Sequence, residues 1–259
     1  MGIQTLDGAA MRACGRRGSP DAVLDGLRRL RRVAGVAIHA DLLAGLPGVT
    51  WERLVQDLGT LTAEGVDEIQ LELLKLLPGT RLEAMAERLG LVAAPRPPYD
   101  LLRTPACSAA DLWRAARLGR VVDGFYNAPP LRSLVRTASG RSAAFWPDLE
   151  AAVTAEGGIR GQWSLRKRFF LLKRFLTTRW PDLVPALVDA WYRRDDGIAP
   201  EVAPARLWRG PLPAEARFLE GSAGDWSRVV AVGEPPYRFY AFRVEPDGRH
   251  RLAAVAERT

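Results

Sequence analysis

Two short strand-like stretches, residues 36–44 and 68–77, constrain this chain more than anything else in it. The first runs into Gly45-Leu46-Pro47-Gly48 and the second into Pro78-Gly79-Thr80, and a helical pattern follows each turn. Met1-Gly2-Ile3-Gln4 reads as the inside of a further strand, with one short and one longer helix after it. Strands joined by crossover helices are the signature of a parallel α/β layer or barrel. A closed barrel needs about eight such units, and roughly three are legible here. The expectation is the back half of a larger α/β structure that begins in the middle of its fold.

The remaining segments follow from local signals. Asp7 can cap a short helix to about Cys14, and Ser19-Pro20 starts a longer one, proline being tolerated at the first helical position. Val23, Leu27, Leu30 and Ala34 recur at helical spacing and predict a core-facing stripe, each large aliphatic contributing about 1.5–3 kcal/mol if buried. Thr50 caps a helix over 51–63 that Gly65 stops, and Thr80 caps another to about Leu89. In the strand over 36–44, Ala37, His39, Asp41 and Leu43 share one face and Val36, Ile38, Ala40 and Leu42 the other. So few polar residues predict cover on both faces. Gln70 and Glu72 share a face of the next strand, with Lys75 near its carboxyl end.

The proline density of residues 93–99 forbids helix and central strand, so it marks a boundary between 1–92 and 93–259. Ser108 then caps a helix to about Asp123, and helical patterns cover 131–138, 147–155, 165–178 and 181–193. Residues 200–213 are proline-rich and read as irregular. The tail predicts strands over 228–232, 237–244 and 249–256, the last two joined by Pro246-Asp247-Gly248. The fold class is thus α/β, a parallel second-half barrel followed by a mainly helical region and a small C-terminal antiparallel element.

The net charge of +7 and the sequence pI of about 10.0 invite a nucleic-acid reading. Only Lys75, Lys167 and Lys173 are lysine among 37 basic residues, however, a skew that GC-rich coding DNA produces without a selected basic surface. The segment Arg166-Lys167-Arg168 through Lys173-Arg174 is the best RNA-contacting candidate. Leu165, Phe169, Leu172 and Leu176 make the same segment a helix with an apolar stripe and a solvated basic face. Nucleic acid is therefore not expected. No leader and no long apolar run is present, which gives a cytoplasmic, membrane-free expectation. Cys14 and Cys107 are too few for a disulfide scaffold or a metal cage, so no metal site is expected.

Gly2-Ile3-Gln4, Arg16 and the string from Asp41 to Gly48 together resemble the second half of a radical S-adenosylmethionine barrel. The spacing agrees: Gln4 to Arg16 is 12 positions and Gln4 to Asp41 is 37. The strand Ile69 to Leu77 with Pro78-Gly79-Thr80, together with Pro97-Pro98-Tyr99-Asp100-Leu101-Leu102 and Tyr126-Asn127, is similar to cobalamin-binding-type radical proteins carrying a C-terminal domain of unknown function. The likeness runs from residue 1 to about 136. It implies adenosylmethionine, a [4Fe–4S] cluster and, in the whole protein, cobalamin. It also implies that Gln4, Arg16, Asp41, Gly45 and Gly48 hold the adenosylmethionine. A carboxylate at Asp41 can accept ribose hydroxyls, Gln4 offers donor and acceptor, and the Arg16 fork suits a carboxylate. Gly45 and Gly48 would let backbone approach the adenine. His39, Gln70, Glu72 and Lys75 become substrate-facing or barrel-interior candidates. His39 reads more readily as a satisfied core histidine than as a catalyst. Gln70 and Glu72 read equally as polar filler of a barrel interior, Asp41 has the alternative of a buried carboxylate held by a neighbouring cap, and Lys75 that of a strand-end snorkel.

Two departures qualify the likeness. Val49 stands where the family has glutamate after the glycine turn, and the C-x3-C-x2-C motif that ligates the cluster is missing. The resemblance therefore implies the C-terminal portion of a radical enzyme, inactive alone, with its other half as a separate partner chain and a small molecule as substrate. Catalytic residues are not assignable. The competing expectation is a non-catalytic accessory or RNA-interacting module. A half barrel would expose strand edges at Ile3 and near Leu71, so solubility separates the two readings.

Overall fold

In a computed structural model that describes residues 1–157 and 163–258, two compact units divide the chain, Met1–Gln162 and Trp163–Thr259. The boundary expected at residues 92/93 lies inside the first unit. After the prolines the chain returns to the parallel sheet: Leu101 N donates to Leu74 O at 3.0 Å and Leu76 N to Tyr99 O at 2.9 Å.

The first unit begins with residues 1–4 running parallel to strand β1 (His39–Ala44). Gln4 and Leu42 form an isolated parallel bridge. Gln4 N donates to Asp41 O at 2.6 Å and Leu43 N to Gln4 O at 2.9 Å. Helices α1 (Gly8–Ala13) and α2 (Pro20–Arg31) follow, capped by Asp7 and Ser19. Past β1, Thr50 caps α3 (Trp51–Glu64), which Gly65 ends in the left-handed region at φ 68°. That positive φ is what favours glycine here; a Cβ would lie 2.6 Å from Arg136 Nη1, the movable end of a long side chain. Strand β2 (Glu68–Leu73) pairs in parallel with β1, His39 opposite Glu68 through Ala44 opposite Leu73.

These two strands and the single bridge at Gln4 are all the parallel structure among the described residues, so the expected half barrel is corrected to a two-stranded sheet. Both strands are shorter than the sequence pattern, and only one face is covered. Ile38, Ala40, Leu42, Ala44, Ile69 and Leu71 are buried beneath helices, whereas His39, Gln70 and Glu72 are exposed. The α2 stripe is likewise half realised. Leu27 is fully buried, but Leu30 is 39% exposed and Ala34 lies past the helix end in the open.

Helix α4 (Arg81–Ala84) stops short of the expected Leu89 and gives way to turns that end at Gly90. Strands β3 (Val92–Ala93) and β4 (Leu101–Arg103) pair antiparallel around the proline loop. A capping box between Ser108 and Asp111 starts α5 (Ala109–Val121). A π-helical turn, Val122–Tyr126, continues it. Helices α6 (Pro129–Ser139) and α7 (Phe145–Ala155) complete this layer. Glu150 of α7, only 3% exposed, takes the Arg117 guanidinium of α5 at 2.5 Å and thereby ties the two helices.

The second unit opens with α8 (Leu165–Arg179), whose Phe169, Leu172 and Leu176 are buried as the stripe requires. A 3-10 turn, Pro181–Leu183, leads into α9 (Val184–Tyr192). The tail forms a five-stranded antiparallel sheet in the order β5-β7-β8-β9-β6. Its strands are β5 (Ala205–Leu207), β6 (Ala216–Glu220), β7 (Arg228–Val232), β8 (Arg238–Val244) and β9 (His250–Arg258). The sequence pattern showed the three inner strands and missed β5 and β6, the short edges flanked by proline-rich segments. Gly248, at φ 77°, donates its amide to Glu245 O and makes the expected β8–β9 turn. No described helix is long and apolar enough to cross a membrane.

Candidate functional site

The open face of the parallel sheet gathers the polar residues that the sequence alternation placed together. Paired register aligns Asp41 with Gln70 and Leu43 with Glu72, so side chains two residues apart on each strand stand on one side. His39 Nδ1 lies 2.9 Å from Glu68 Oε2, with both side chains about half exposed. Gln70 Nε2 reaches Glu72 Oε1 at 3.5 Å. The Asp41 carboxylate is 42% exposed, so it is no buried acid, and the Met1 amino group stands 3.9 Å from it. His39 is likewise no core histidine. The result is a shallow surface of three carboxylates, one carboxamide and one imidazole, suited to accepting hydrogen bonds from hydroxyls and amines.

Arg16 is not on that face. Its guanidinium donates to Ile3 O at 2.8 Å and to Gly2 O at 2.5 Å, so the fork holds the backbone of residues 2 and 3. Gln4 adopts φ 67°, an uncommon conformation for a residue with a side chain, where it meets β1. Gly45, at φ 91°, has its vacant Cβ position filled from inside the unit: a Cβ there would lie 2.5 Å from Leu101 Cδ2. Gly48, at φ 79°, has no heavy atom within 4 Å of the same position and is exposed. Lys75 lies beyond the end of β2, bridged through its backbone to Asp100 and exposed.

Two residues that shape this site, Asp57 and Gly119, were not singled out from sequence, and Tyr126 and Asn127 entered there only as part of the family likeness. Asp57, 1% exposed, accepts from Thr5 Oγ1 at 2.7 Å, Leu6 N at 2.8 Å and Arg53 Nε at 2.8 Å. It clamps the segment after Gln4 onto α3, and its only sequence signal is the i,i+4 spacing with Arg53. Asn127 receives the Ile69 amide at 2.9 Å on Oδ1 and donates from Nδ2 to Ile69 O at 2.9 Å, imitating a neighbouring strand at the outer edge of β2. Two residues along, a Cβ on Gly119 would lie 2.4 Å from Leu71 O, so α5 abuts the same edge. Tyr126 adds a hydrogen bond from its hydroxyl to Val66 O at 2.5 Å, and burial raises its pKa above the ordinary phenol value. The edge expected to be exposed near Leu71 is therefore closed, and at Ile3 the Arg16 fork covers two carbonyls.

The cluster ligands do not fit this chain. Cys107 is buried, its Sγ lies 3.3 Å from Val49 O, and burial pushes its pKa up to about 11. Cys14 is raised too, by burial ahead of the opposing effect of Arg16. Among the described residues no group of three metal-ligating side chains converges.

Residues 87–187 match a family described as a protein of unknown function, DUF4080. That domain is known from cobalamin-binding radical SAM proteins. The match contains Pro97 to Leu102 and Tyr126-Asn127, and it spans less than half of the chain. It includes the elements that close the β2 edge and ends within α9. No curated protein matches the chain.

Proposed function

We propose that this chain is the C-terminal portion of a cobalamin-binding-type radical S-adenosylmethionine protein, and that the open sheet face is its share of the wall against which the nucleoside lies. The observation that carries the reading is a conjunction. A DUF4080 match begins at residue 87, directly downstream of the Gln4, Arg16 and Asp41-to-Gly48 pattern that resembles the second half of a radical barrel. Asp41 is available on an uncovered face, and Gly48 leaves room for backbone approach. The two cysteines cannot supply three thiolates, so reductive cleavage of the sulfonium is not assigned to this polypeptide. Its own contribution is binding: the carboxylate of Asp41 toward the ribose hydroxyls, and the carboxamide of Gln4 as a further donor and acceptor. We place it in the cytoplasm, with a small molecule as substrate of the whole enzyme.

Isothermal titration of the chain with adenosylmethionine tests this. Saturable binding is expected, weakened at least tenfold by Asp41→Asn, which keeps size and hydrogen-bonding shape but removes the charge. Absence of saturable binding at millimolar ligand, or equal binding by the variant, overturns it. The accessory-module reading has one specific point in its favour. Side chains cover both flanks of the parallel sheet, through Arg16 and Asn127. A monodisperse monomer that melts cooperatively and ignores adenosylmethionine decides for that reading.

A further inference from the structure

We propose that the cleft between the first turns of α8 and the turn following α9 binds a phosphomonoester that carries an aromatic body. The argument uses residues of the second unit only, so it stands apart from the adenosylmethionine reading.

Ser164, Arg166, Lys167, Phe170 and Glu201 line an open cleft of about 290 Å3. Three of these side chains have a donor left to give. Ser164 Oγ caps α8 by accepting from the Lys167 amide at 3.2 Å, which leaves its hydroxyl proton unspent. Arg166 donates to Glu201 from Nε and Nη2, the latter at 2.7 Å, and its Nη1 has no partner among the described residues. Lys167 meets no carboxylate among them either; its ammonium rests over the Phe170 ring, 5.1 Å from the centroid. The one acid of the wall is already committed. Both Glu201 carboxylate oxygens face Arg166, and Lys173 Nζ holds the Glu201 carbonyl at 3.2 Å. The first turn of this 15-residue helix has no acidic side chain, so its positive end borders the cleft uncompensated. Donors outnumber acceptors, and the group that satisfies them is an anion. A phosphomonoester brings three terminal oxygens to the three side chains, where a carboxylate brings two.

Phe170 decides what the phosphate is attached to. Its half-buried ring lies between Lys167, one turn before, and Arg174, one turn after, whose guanidinium carbon is 5.8 Å from the ring centroid. A cation–π contact at an exposed position is weaker than a charge-assisted hydrogen bond to phosphate. Lys167 therefore leaves the ring when the anion enters, and the uncovered ring receives a planar group. The size of the cleft agrees: it sits near the lower end of the range of small-molecule pockets, about 300–1,000 Å3. A bare phosphate would leave much of it to water.

The test is an NMR titration of the full chain with phenyl phosphate, which lacks a ribose and so does not report on Asp41. Saturable shifts confined to residues 164–170 and 201 are expected. Inorganic phosphate and phenol, each offering one half of the ligand, should bind about tenfold more weakly. Lys167→Gln, checked for an unchanged melt, should weaken phenyl phosphate about tenfold through loss of one charge-assisted hydrogen bond. Glu201→Gln releases Arg166 and removes a negative charge, so it should tighten binding, the opposite of what loss of a merely structural pair would give. No saturable binding at millimolar phenyl phosphate, equal binding by Lys167→Gln, weaker binding by Glu201→Gln, equal affinity for inorganic phosphate, or shifts centred elsewhere each overturns the proposal. So does an affinity for single-stranded RNA that climbs with its length, which would make the basic face of α8 a polynucleotide track. Asp41→Asn weakens nucleoside binding and leaves phenyl phosphate binding unmoved, so the two readings fail separately.

Discussion

The two sheets of this molecule solve the same physical problem in opposite ways. In the second unit both faces of the five-stranded sheet are covered. Tyr240 packs near Tyr192 and its hydroxyl donates to Asp189 Oδ1 at 2.9 Å, while on the other face Ala231, Phe239 and Ala256 are packed by Trp208, Leu212, Phe218 and Tyr237. In the first unit one face of a two-stranded sheet is left polar and open, and its flanks are finished by single side chains. A sheet closed on both faces has no surface left to offer. One with a helix-covered back and an uncovered front is stable enough to present Asp41, Gln70 and Glu72 without burying them. The contrast sets a sheet buried on both faces against one that keeps a polar face exposed, and under the proposed function the exposed face is the one that meets ligand.

Removing the clamp that holds the open sheet together should break that contrast most severely. Asp57→Ala strips a nearly buried carboxylate from Thr5, Leu6 and Arg53, and the expected loss is about 3 kcal/mol in the first unit. Calorimetry should show the first unit melting earlier while the second is unmoved, and Asp57→Asn should recover part of the difference. A smaller effect is expected from Asn127→Ala. It leaves the Ile69 amide and carbonyl without their partner, for a cost of about 2 kcal/mol. Exchange at Ile69 should accelerate, and the chain should gain a tendency to self-associate through the uncovered edge. If Asn127→Ala behaves as the native chain does, the β2 flank is closed by α5 alone.

What sequence could and could not convey follows the range of the interactions. Asp7, Ser19, Thr50, Thr80, Ser108 and Ser164 all accept from a backbone amide within three residues, and every helix start they mark was legible. The span of β7 was legible for a similar reason, as a β-branched run between turns. The limit of the parallel sheet was not, because the group that ends it, Asn127, lies 58 residues from Ile69 in the chain. Periodicity placed Leu27 and Leu30 on one stripe, yet it carries no information about what covers the stripe. The alternation in β1 and β2 correctly grouped His39 with Asp41 and Gln70 with Glu72. It could not foresee that Arg16 turns to backbone carbonyls, since the choice between two acceptors depends on tertiary geometry.

The smallest expected effect sharpens the comparison from the scaffolding side. Arg166 donates from Nε and Nη2 to the two carboxylate oxygens of Glu201, and Lys173 Nζ lies 3.2 Å from Glu201 O, so the basic face of α8 is partly engaged within its own unit. The hydrogen bond from Arg166, ahead of the opposing desolvation, holds the Glu201 carboxyl down to about 2. A carboxyl whose folded value is depressed stabilises above its unfolded value, about 4.3, and loses that contribution as pH falls toward 2. Both partners are partly exposed, so solvent screening keeps the contribution small. Glu201→Gln should therefore lower the second unit's midpoint slightly at neutral pH and flatten its acid limb between about pH 4 and 2, with the difference vanishing in high salt. An acid limb identical to that of the native chain would mean that α8 is anchored by Phe169, Leu172 and Leu176 alone. Arg166 and Lys173 would then be as free to meet an outside anion as the sequence pattern first allowed.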